Sequence, residues 1–208
     1  PCDLSHPLLK RLGEVVRELD PQRRYLPTSP CGPRAWANPA EFGKGMHWDV
    51  HGGASLDTLT EAMAYWAHDD ALFRAEVYCP GAGSVEVIER YAGEFAAFPA
   101  TADNPYWTRI TTWWLDGARL AAMHGREPRD LAEYVAWSQE NQARMIAGEM
   151  QACKARFPRC GGILMWSGHD TFPLTINSSL IDFDGNSKAA AQAVAAVWRR
   201  RPLKDVTS

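Results

Sequence analysis

The amino-acid sequence predicts an α/β fold, with a parallel β-sheet or barrel whose strands alternate with helices. Residues 163–166 (Ile-Leu-Met-Trp) are continuously apolar and follow two glycines, which is typical of a short strand that is buried on both faces. Residues 71–78 form a second, largely apolar strand that ends at Cys79-Pro80-Gly81. Much of the remaining chain has the periodicity of a helix. We therefore expect strands, loops and helices to alternate along the chain.

Six segments carry apolar residues with the period of an amphipathic helix. The first begins at Ser5-His6-Pro7 and ends at Asp20-Pro21, and the second has Ser55 as its predicted N-cap. The six predicted helices are residues 5–20, 55–68, 84–91, 107–124, 128–157 and 187–199.

Two further strands are predicted at residues 24–27 and 46–50, on either side of a long loop rich in proline and glycine at residues 28–45. Loops of this length are usually functional. A complete (β/α)8 barrel needs about 250 residues and eight strands. Because only four strands are predicted in 208 residues, the chain is expected to be part of a larger catalytic domain.

The composition and the absence of common motifs exclude several classes of function. The 22 Lys and Arg residues against 25 Asp and Glu give a formal net charge of −3, and the one basic run is Arg199-Arg200-Arg201, so neither nucleic acid nor a membrane surface is an expected partner. No apolar stretch approaches the ~18 residues of a membrane span. The five cysteines form no CxxC pair, and the sequence has no GxSxG, HExxH, Walker or GxGxxG motif, so no cofactor is expected. Nine tryptophans are the strongest compositional signal, because aromatic rings pack against sugars as well as in cores.

Glu76 is the first candidate catalytic residue. It lies near the C-terminal end of the strand at residues 71–78, the edge at which parallel α/β folds place catalytic groups. The structural alternative is a strand-end carboxylate that pairs with Arg74. With a strand period of two, Arg74 and Glu76 share a face, where the guanidinium group would keep the carboxylate ionised.

The segment His47-Trp48-Asp49-Val50-His51 is the second candidate. In a strand, His47, Asp49 and His51 lie on one face and Trp48 on the other. Two imidazoles and a carboxylate on one face are compatible with a metal site, although hydrogen-bonding or substrate-contacting histidines are commoner than ligands from a single strand.

The third candidate directly follows the apolar strand at residues 163–166. Trp166 at the strand exit can form the floor of a sugar site, and Asp170 can hold a hydroxyl group or orient a neighbour. The structural alternative is a core tryptophan and a turn-capping aspartate.

Taken in order, these motifs resemble the C-terminal half of the catalytic barrel of glycoside hydrolase family 2, and most closely its β-mannosidase branch. Residues 19–30 resemble the fifth strand and its loop, residues 45–48 the sixth strand, and residues 73–76 the seventh strand with its nucleophile. Residues 161–170 and 181–188 resemble the eighth strand and the start of the final helix. Ser167-Gly168-His169-Asp170 replaces the usual Gln-Leu-Asn-Asp, which bears on the sugar rather than on the family.

The resemblance implies strands 5 to 8 of a (β/α)8 TIM barrel, with an inserted helical segment between the last two strands. Residues 1–208 are then a partial catalytic domain whose N-terminal half and accessory β-sandwich domains lie outside this chain. The family's acid/base residue belongs to an Asn-Glu pair after the fourth strand, and no Asn-Glu dipeptide occurs here. The expected partners are a β-glycoside substrate and the missing half of the barrel.

The resemblance also implies a retaining glycoside hydrolase that cleaves β-linked sugars, β-mannosides in particular, with Glu76 as nucleophile. His47 and Trp48 would contact the sugar, Trp166 would form the floor of the cleaving subsite, and Asp170 would hold the site in shape. No metal or cofactor is implied. Two alternatives stay open: a non-catalytic carbohydrate-binding fragment, and a metal-dependent hydrolase that uses His47, Asp49 and His51.

Overall fold

The computed structural model describes residues 3–51, 58–109 and 114–199. These ranges contain six α-helices and four short β-strands. The helices are α1 (Pro7–Leu19), α2 (Leu59–His68), α3 (Val85–Tyr91), α4 (Gly117–His124), α5 (Leu131–Ala155) and α6 (Ala189–Arg199). The strands are β1 (Arg74–Val77), β2 (Gly81–Ala82), β3 (Ile163–Met165) and β4 (Ile176–Asn177).

Strands β1 and β3 pair in parallel, and β2 pairs with β4 in antiparallel orientation. The β1–β3 register is irregular, because Arg74 lies opposite Ile163 but Val77 lies opposite Met165. Single bridges extend this sheet: Asp49 pairs in parallel with Phe73. Segment 47–51 therefore runs beside β1 on the edge away from β3.

The two strands that define the predicted fold class are confirmed in shorter form, as β1 within residues 71–78 and β3 within residues 163–166. The prediction at residues 46–50 is confirmed only as isolated bridges, and the strand predicted at residues 24–27 is wrong. The strand at residues 24–27 does not form because another segment of the chain occupies the sheet edge with which it would have to pair.

Residues of the long loop occupy that edge. Cys31 exchanges two backbone hydrogen bonds with Asp49, each 2.9 Å, and His51 donates to Ala35 and accepts from Ala37 at 3.1 Å. The backbone groups with which residues 24–27 would have to pair are therefore already bonded to the loop.

The helix predictions hold for α1, α3, α5 and α6, with shifts of a few residues at their ends. Helix α2 begins later than predicted: Thr58 forms a capping box with Glu61, whereas the predicted cap, Ser55, lies outside the described residues. The helix predicted at residues 107–124 is observed only as α4, and residues 110–113 also lie outside the described ranges. The preceding loop is fixed by Asn104, whose side-chain amide donates to the carbonyls of Ala96 and Pro99 at 2.9 Å.

Two apolar clusters form the core. The first fills the space between β1, β3, α2, α5 and α6, and contains Trp66, Met145 and Ile163. The second lies between α3, α4, α5 and the β2–β4 pair, and is centred on Trp107 and Tyr134, whose rings meet edge to face at 5.1 Å. None of the helices described here is long and apolar enough to cross a membrane.

A buried cluster of charges ties β1 to this helical layer. Arg74 is fully buried, donates to Asp69 at 2.7 Å and to the hydroxyl of Tyr65 at 3.2 Å, and lies 3.7 Å from Glu149 on α5. Arg156 pairs with the same Asp69 at 2.7 Å. Burial opposes ionisation of Asp69, but the two guanidinium groups outweigh it and lower its pKa. For Glu149, burial prevails over the attraction of Arg74 and raises the pKa to about 7.

Replacing Glu149 with Gln tests this cluster through the pH dependence of stability. The folded state holds the Glu149 proton up to about pH 7, whereas the carboxyl in the unfolded chain titrates near 4.5, so the wild-type free energy of unfolding should fall relative to E149Q as pH rises through that window. We expect similar stability at pH 4.5 and an advantage for E149Q approaching about 3 kcal/mol at pH 8, measured by urea denaturation.

The control is Glu140→Gln on the exposed face of the same helix, which should not alter the pH dependence. A difference between wild type and E149Q that stays constant between pH 4.5 and pH 8 would contradict the buried, proton-retaining state of Glu149.

Candidate active site

Glu76 lies at the third position of β1, near the C-terminal end of the parallel β1–β3 pair. The register irregularity between Arg74 and Val77 turns the strand, so that the buried residues are Arg74 and Val77, while Glu76 is partly open. Its side chain is 33% exposed, which suits a group that must meet a ligand.

Segment 47–51 fixes the position of Glu76 from the side. The carboxylate of Asp49 is buried and accepts a 3.0 Å hydrogen bond from the backbone N–H of Ala75, the residue before Glu76. Nδ1 of His51 lies 3.7 Å from Oε1 of Glu76, and its Nε2 is 3.2 Å from the hydroxyl of Ser29. Asp49 therefore fixes the backbone next to Glu76. The nearly buried imidazole of His51 faces the Glu76 carboxylate.

The side chain of His47 makes two hydrogen bonds inside the fold. Its Nε2 accepts a 3.2 Å hydrogen bond from the backbone N–H of Asn38, so Nδ1 carries the proton and donates to Asp70 at 2.6 Å. The side chain is fully buried against Phe42. Contact of His47 with a sugar stays a prediction, and it would have to replace one of these two hydrogen bonds.

Trp48 is the next predicted site residue along the chain. It is half-buried, and the guanidinium group of Arg24 lies 4.4 Å above its ring. The other face of the residue is closely approached by Gly32, at which an added Cβ would be 3.0 Å from Cβ of Trp48. A role for Trp48 in sugar binding also stays a prediction.

Trp166 leaves the end of β3 beside β1, because its backbone N–H donates to Val77 at 2.9 Å. The ring is 40% exposed and meets Tyr78 at 5.7 Å and Trp114 at 5.9 Å, both edge to face. Burial raises the pKa of Tyr78, and the negative charge of Glu76 adds to the effect. An aromatic surface thus adjoins the strand end that carries Glu76.

Asp170 lies beneath this surface and is buried. Its Oδ1 accepts a 2.6 Å hydrogen bond from the side chain of Asn177, and its Oδ2 lies 4.0 Å from Nζ of Lys188. Lys188 is itself buried and donates to the carbonyls of Gly81 at 2.9 Å and Asn177 at 3.2 Å. Burial lowers the pKa of Lys188 to about 8, although Asp170 acts in the opposite direction. Asp170 is therefore engaged inside the fold by Asn177 and Lys188, and its role in shaping a sugar site stays a prediction.

The predicted pairing of Arg74 with Glu76 is replaced by another arrangement. The guanidinium group of Arg74 is bound by Asp69 and Tyr65 on the helical side of β1, whereas the carboxylate of Glu76 faces His51. The expectation assumed regular alternation, and the irregular register of β1 removes it.

The metal-ligand hypothesis gains no support from the geometry. His47, Asp49 and His51 each engage a different partner, namely Asp70, Ala75 and Glu76. Across residues 3–51, 58–109 and 114–199, no group of three His, Cys, Asp or Glu side chains is arranged to hold a metal ion.

The sequence pattern missed the contributions of Tyr78, Asn177 and Lys188. Lys188 stands just before the alanine-rich helix α6 and has the pattern of a solvated charge, so no local signal distinguishes it. Only the fold brings it to Asp170.

The fold has a counterpart among solved structures. A β-D-mannosidase from Dictyoglomus thermophilum superposes with a TM-score of 0.62 over 90% of this chain and 22% of that chain, at 18% sequence identity. At this identity the likeness establishes a shared mixed α/β fold.

Curated relatives agree with that likeness. The chain is similar to β-mannosidase B from Aspergillus clavatus, at 27% identity over 198 residues, and to β-mannosidase B from Neosartorya fischeri, at 26% over 198 residues. Each alignment covers 90% of this chain, which spans about 22% of the length of these relatives. No protein-family model matches the chain. The resemblance to β-mannosidases inferred from the motifs is therefore confirmed.

Asp170→Asn tests the buried Asp170–Lys188 contact. The substitution leaves the buried Lys188 ammonium group with only the weaker countercharge of Asp182, so we expect a loss of roughly 3 kcal/mol in the free energy of unfolding at pH 7, measured by denaturant titration. The loss should be smaller at pH 10, because Lys188 can then give up its proton.

Adding Lys188→Met to the Asp170→Asn variant should recover part of that stability, because it removes the weakly paired charge. Strictly additive losses in this double-mutant cycle, equal at pH 7 and pH 10, would show that the two groups do not interact.

Proposed function

We propose that this chain is part of a retaining glycoside hydrolase that cleaves β-mannosides, with Glu76 as the nucleophile. The observation that carries the proposal is the placement of Glu76: a partly exposed carboxylate at the end of a parallel strand, faced by His51 and next to the aromatic surface of Trp166 and Tyr78. The similarity to β-mannosidases over 90% of the chain supports the choice of sugar.

In the proposed reaction, Glu76 attacks the anomeric carbon and forms a glycosyl ester as the leaving oxygen departs. Water then hydrolyses the ester and restores both the carboxylate and the anomeric configuration. The exposed part of Trp166 would lie against the sugar ring, Trp48 would contact the sugar once Arg24 moves from its ring, and Asp170 would support the loop that follows β3. Retaining glycosidases also need an acid/base carboxyl group about 5–5.5 Å from the nucleophile.

We further propose that residues 1–208 correspond to the C-terminal half of a (β/α)8 barrel, with α3, α4 and α5 as a helical insertion between its last two strands. Helix α1 supports this arrangement, because its apolar side faces outward: Leu8, Leu12 and Leu19 are 59%, 45% and 77% exposed. A helix with such a stripe normally buries it against a neighbouring element. In the proposal, the preceding half of the barrel covers this stripe and supplies the acid/base residue.

A mechanism-based label tests the nucleophile. The protein is treated with 2-deoxy-2-fluoro-β-mannosyl fluoride, whose reactive leaving group needs little acid assistance, and the adduct is mapped by peptide mass spectrometry. We expect one glycosyl adduct on Glu76 and none in Glu76→Gln. The matched control is Glu140→Gln, an exposed glutamate on α5, which should be labelled like the wild type.

The same reaction is run on a longer protein that includes the preceding residues of the barrel. Labelling of the longer protein alone would support the half-barrel proposal. Absence of an adduct from both proteins, combined with measurable binding of mannosides, would favour the non-catalytic carbohydrate-binding alternative. Labelling at another carboxylate would overturn the assignment of Glu76.

His51→Gln tests whether the imidazole orients the nucleophile. Loss of the 3.7 Å contact lets the Glu76 carboxylate take other rotamers, and small displacements of a reacting group are costly, so labelling should slow by roughly 10- to 100-fold while Glu76 stays the labelled residue. The control is His68→Gln on the exposed side of α2. Equal labelling rates for both variants would remove His51 from the proposed site.

A further inference from the structure

A second concave site lies beside the β2–β4 pair. It is a cavity of about 370 Å³ between the end of α3, the turn at residues 106–109 and the segment 172–175 that precedes β4. Its size falls within the range of small-ligand pockets, about 300–1,000 Å³. Phe172 follows Asp170 by two residues, so the cavity shares the loop after β3 with the proposed active site.

Aromatic rings form the walls of this cavity, and several are fixed in place. The hydroxyl of Tyr106 donates to the carbonyl of Ile88 at 2.7 Å, and its ring lies parallel to Phe95 with 6.4 Å between centroids. Tyr91 is held edge to face by Phe183 at 5.6 Å, whereas Phe172 is 56% exposed at the rim. Preformed flat surfaces of this kind suit the C–H face of a sugar ring.

Among the described residues, Arg109 is the one charged residue in the lining. Its guanidinium group lies 5.6 Å from the ring centre of Tyr106 and 5.8 Å from that of Phe95, which orients the planar group at the cavity wall. Within the described ranges, no carboxylate forms an ion pair with it. The fork of N–H groups is therefore available for a bidentate contact with an anion.

Thr175 also lines the cavity and is only 4% exposed. Its hydroxyl oxygen is buried from solvent, so the residue contributes to the packed wall and not to hydrogen bonding with a ligand.

From these features we infer that the cavity binds a single sugar unit that carries a carboxylate, as a hexuronic acid does. The carboxylate would pair with Arg109, and the aromatic walls would cover the sugar ring. One cation and no acidic side chain among the described lining residues favour an anionic over a cationic ligand. This inference goes beyond the proposed hydrolysis, because binding here requires neither Glu76 nor turnover.

The test titrates the protein with methyl β-D-glucuronide and, separately, with methyl β-D-glucoside, which differs only in lacking the carboxylate. Binding is followed by saturation-transfer NMR and by tyrosine and tryptophan fluorescence. We expect the glucuronide to bind at least about tenfold more tightly than the glucoside, and Arg109→Gln to remove that difference. Arg144→Gln, an exposed arginine on α5, is the matched charge control.

Equal affinity for the two methyl glycosides, or an unchanged affinity in Arg109→Gln, would overturn the inference. Because labelling of Glu76 is measured separately, glucuronide binding combined with no labelling of either this chain or the longer protein would count against the proposed hydrolysis and leave this site standing.

Discussion

The position of strand β1, and with it the candidate site, depends on the burial of one arginine. Moving a guanidinium group out of water costs several kcal/mol unless charged partners surround it. Arg74 finds Asp69 in the turn before β1 and Glu149 on α5, and Arg156 at the end of α5 shares Asp69. The cluster therefore fixes the strand relative to two helices at once. Removal of Asp69 would leave both guanidinium groups without their shared ionised partner in the interior.

Burial is the main reason why Glu149 holds its proton to about pH 7. The negative charge of Asp69 adds to the rise in the pKa, and together the two effects outweigh the attraction of Arg74 and Arg156. A neutral Glu149 still fills the space beside Arg74. The cluster therefore contains several hydrogen-bonding groups but little net charge. A buried polar network is stable in this arrangement.

The sequence predicts the central strands and the long helix of this fold well, but it predicts the segments at the edge of the sheet poorly. The apolar runs of β1 and β3 and the long periodicity of α5 carry strong local signals, and all three elements are found. Residues 24–27 have a strand-like composition, but a strand exists only where an edge is free, and the loop at residues 28–45 takes that edge through Cys31 and Ala35. No local pattern contains that information.

In the candidate site, too, features that depend on local sequence could be predicted, and contacts between distant parts of the chain could not. Glu76 and Trp166 could be predicted, because each stands at the end of an apolar strand. The partner of Glu76 could not, since regular alternation points to Arg74 and the irregular register of β1 brings His51 instead. Lys188 reaches Asp170 only because α6 folds back onto α5.

Glu76 and Glu149 together illustrate how environment determines the chemistry of a carboxyl group. A perturbed pKa often marks a catalytic residue, and by that criterion alone Glu149 would be the choice. It is nevertheless enclosed by Arg74 and the core, with no route to a ligand. Glu76 is one-third exposed beside an imidazole at the end of a strand, which gives its carboxylate the access to a ligand that the proposed nucleophile needs. Access and geometry, ahead of pKa, therefore distinguish the proposed nucleophile from a structural acid in this fold.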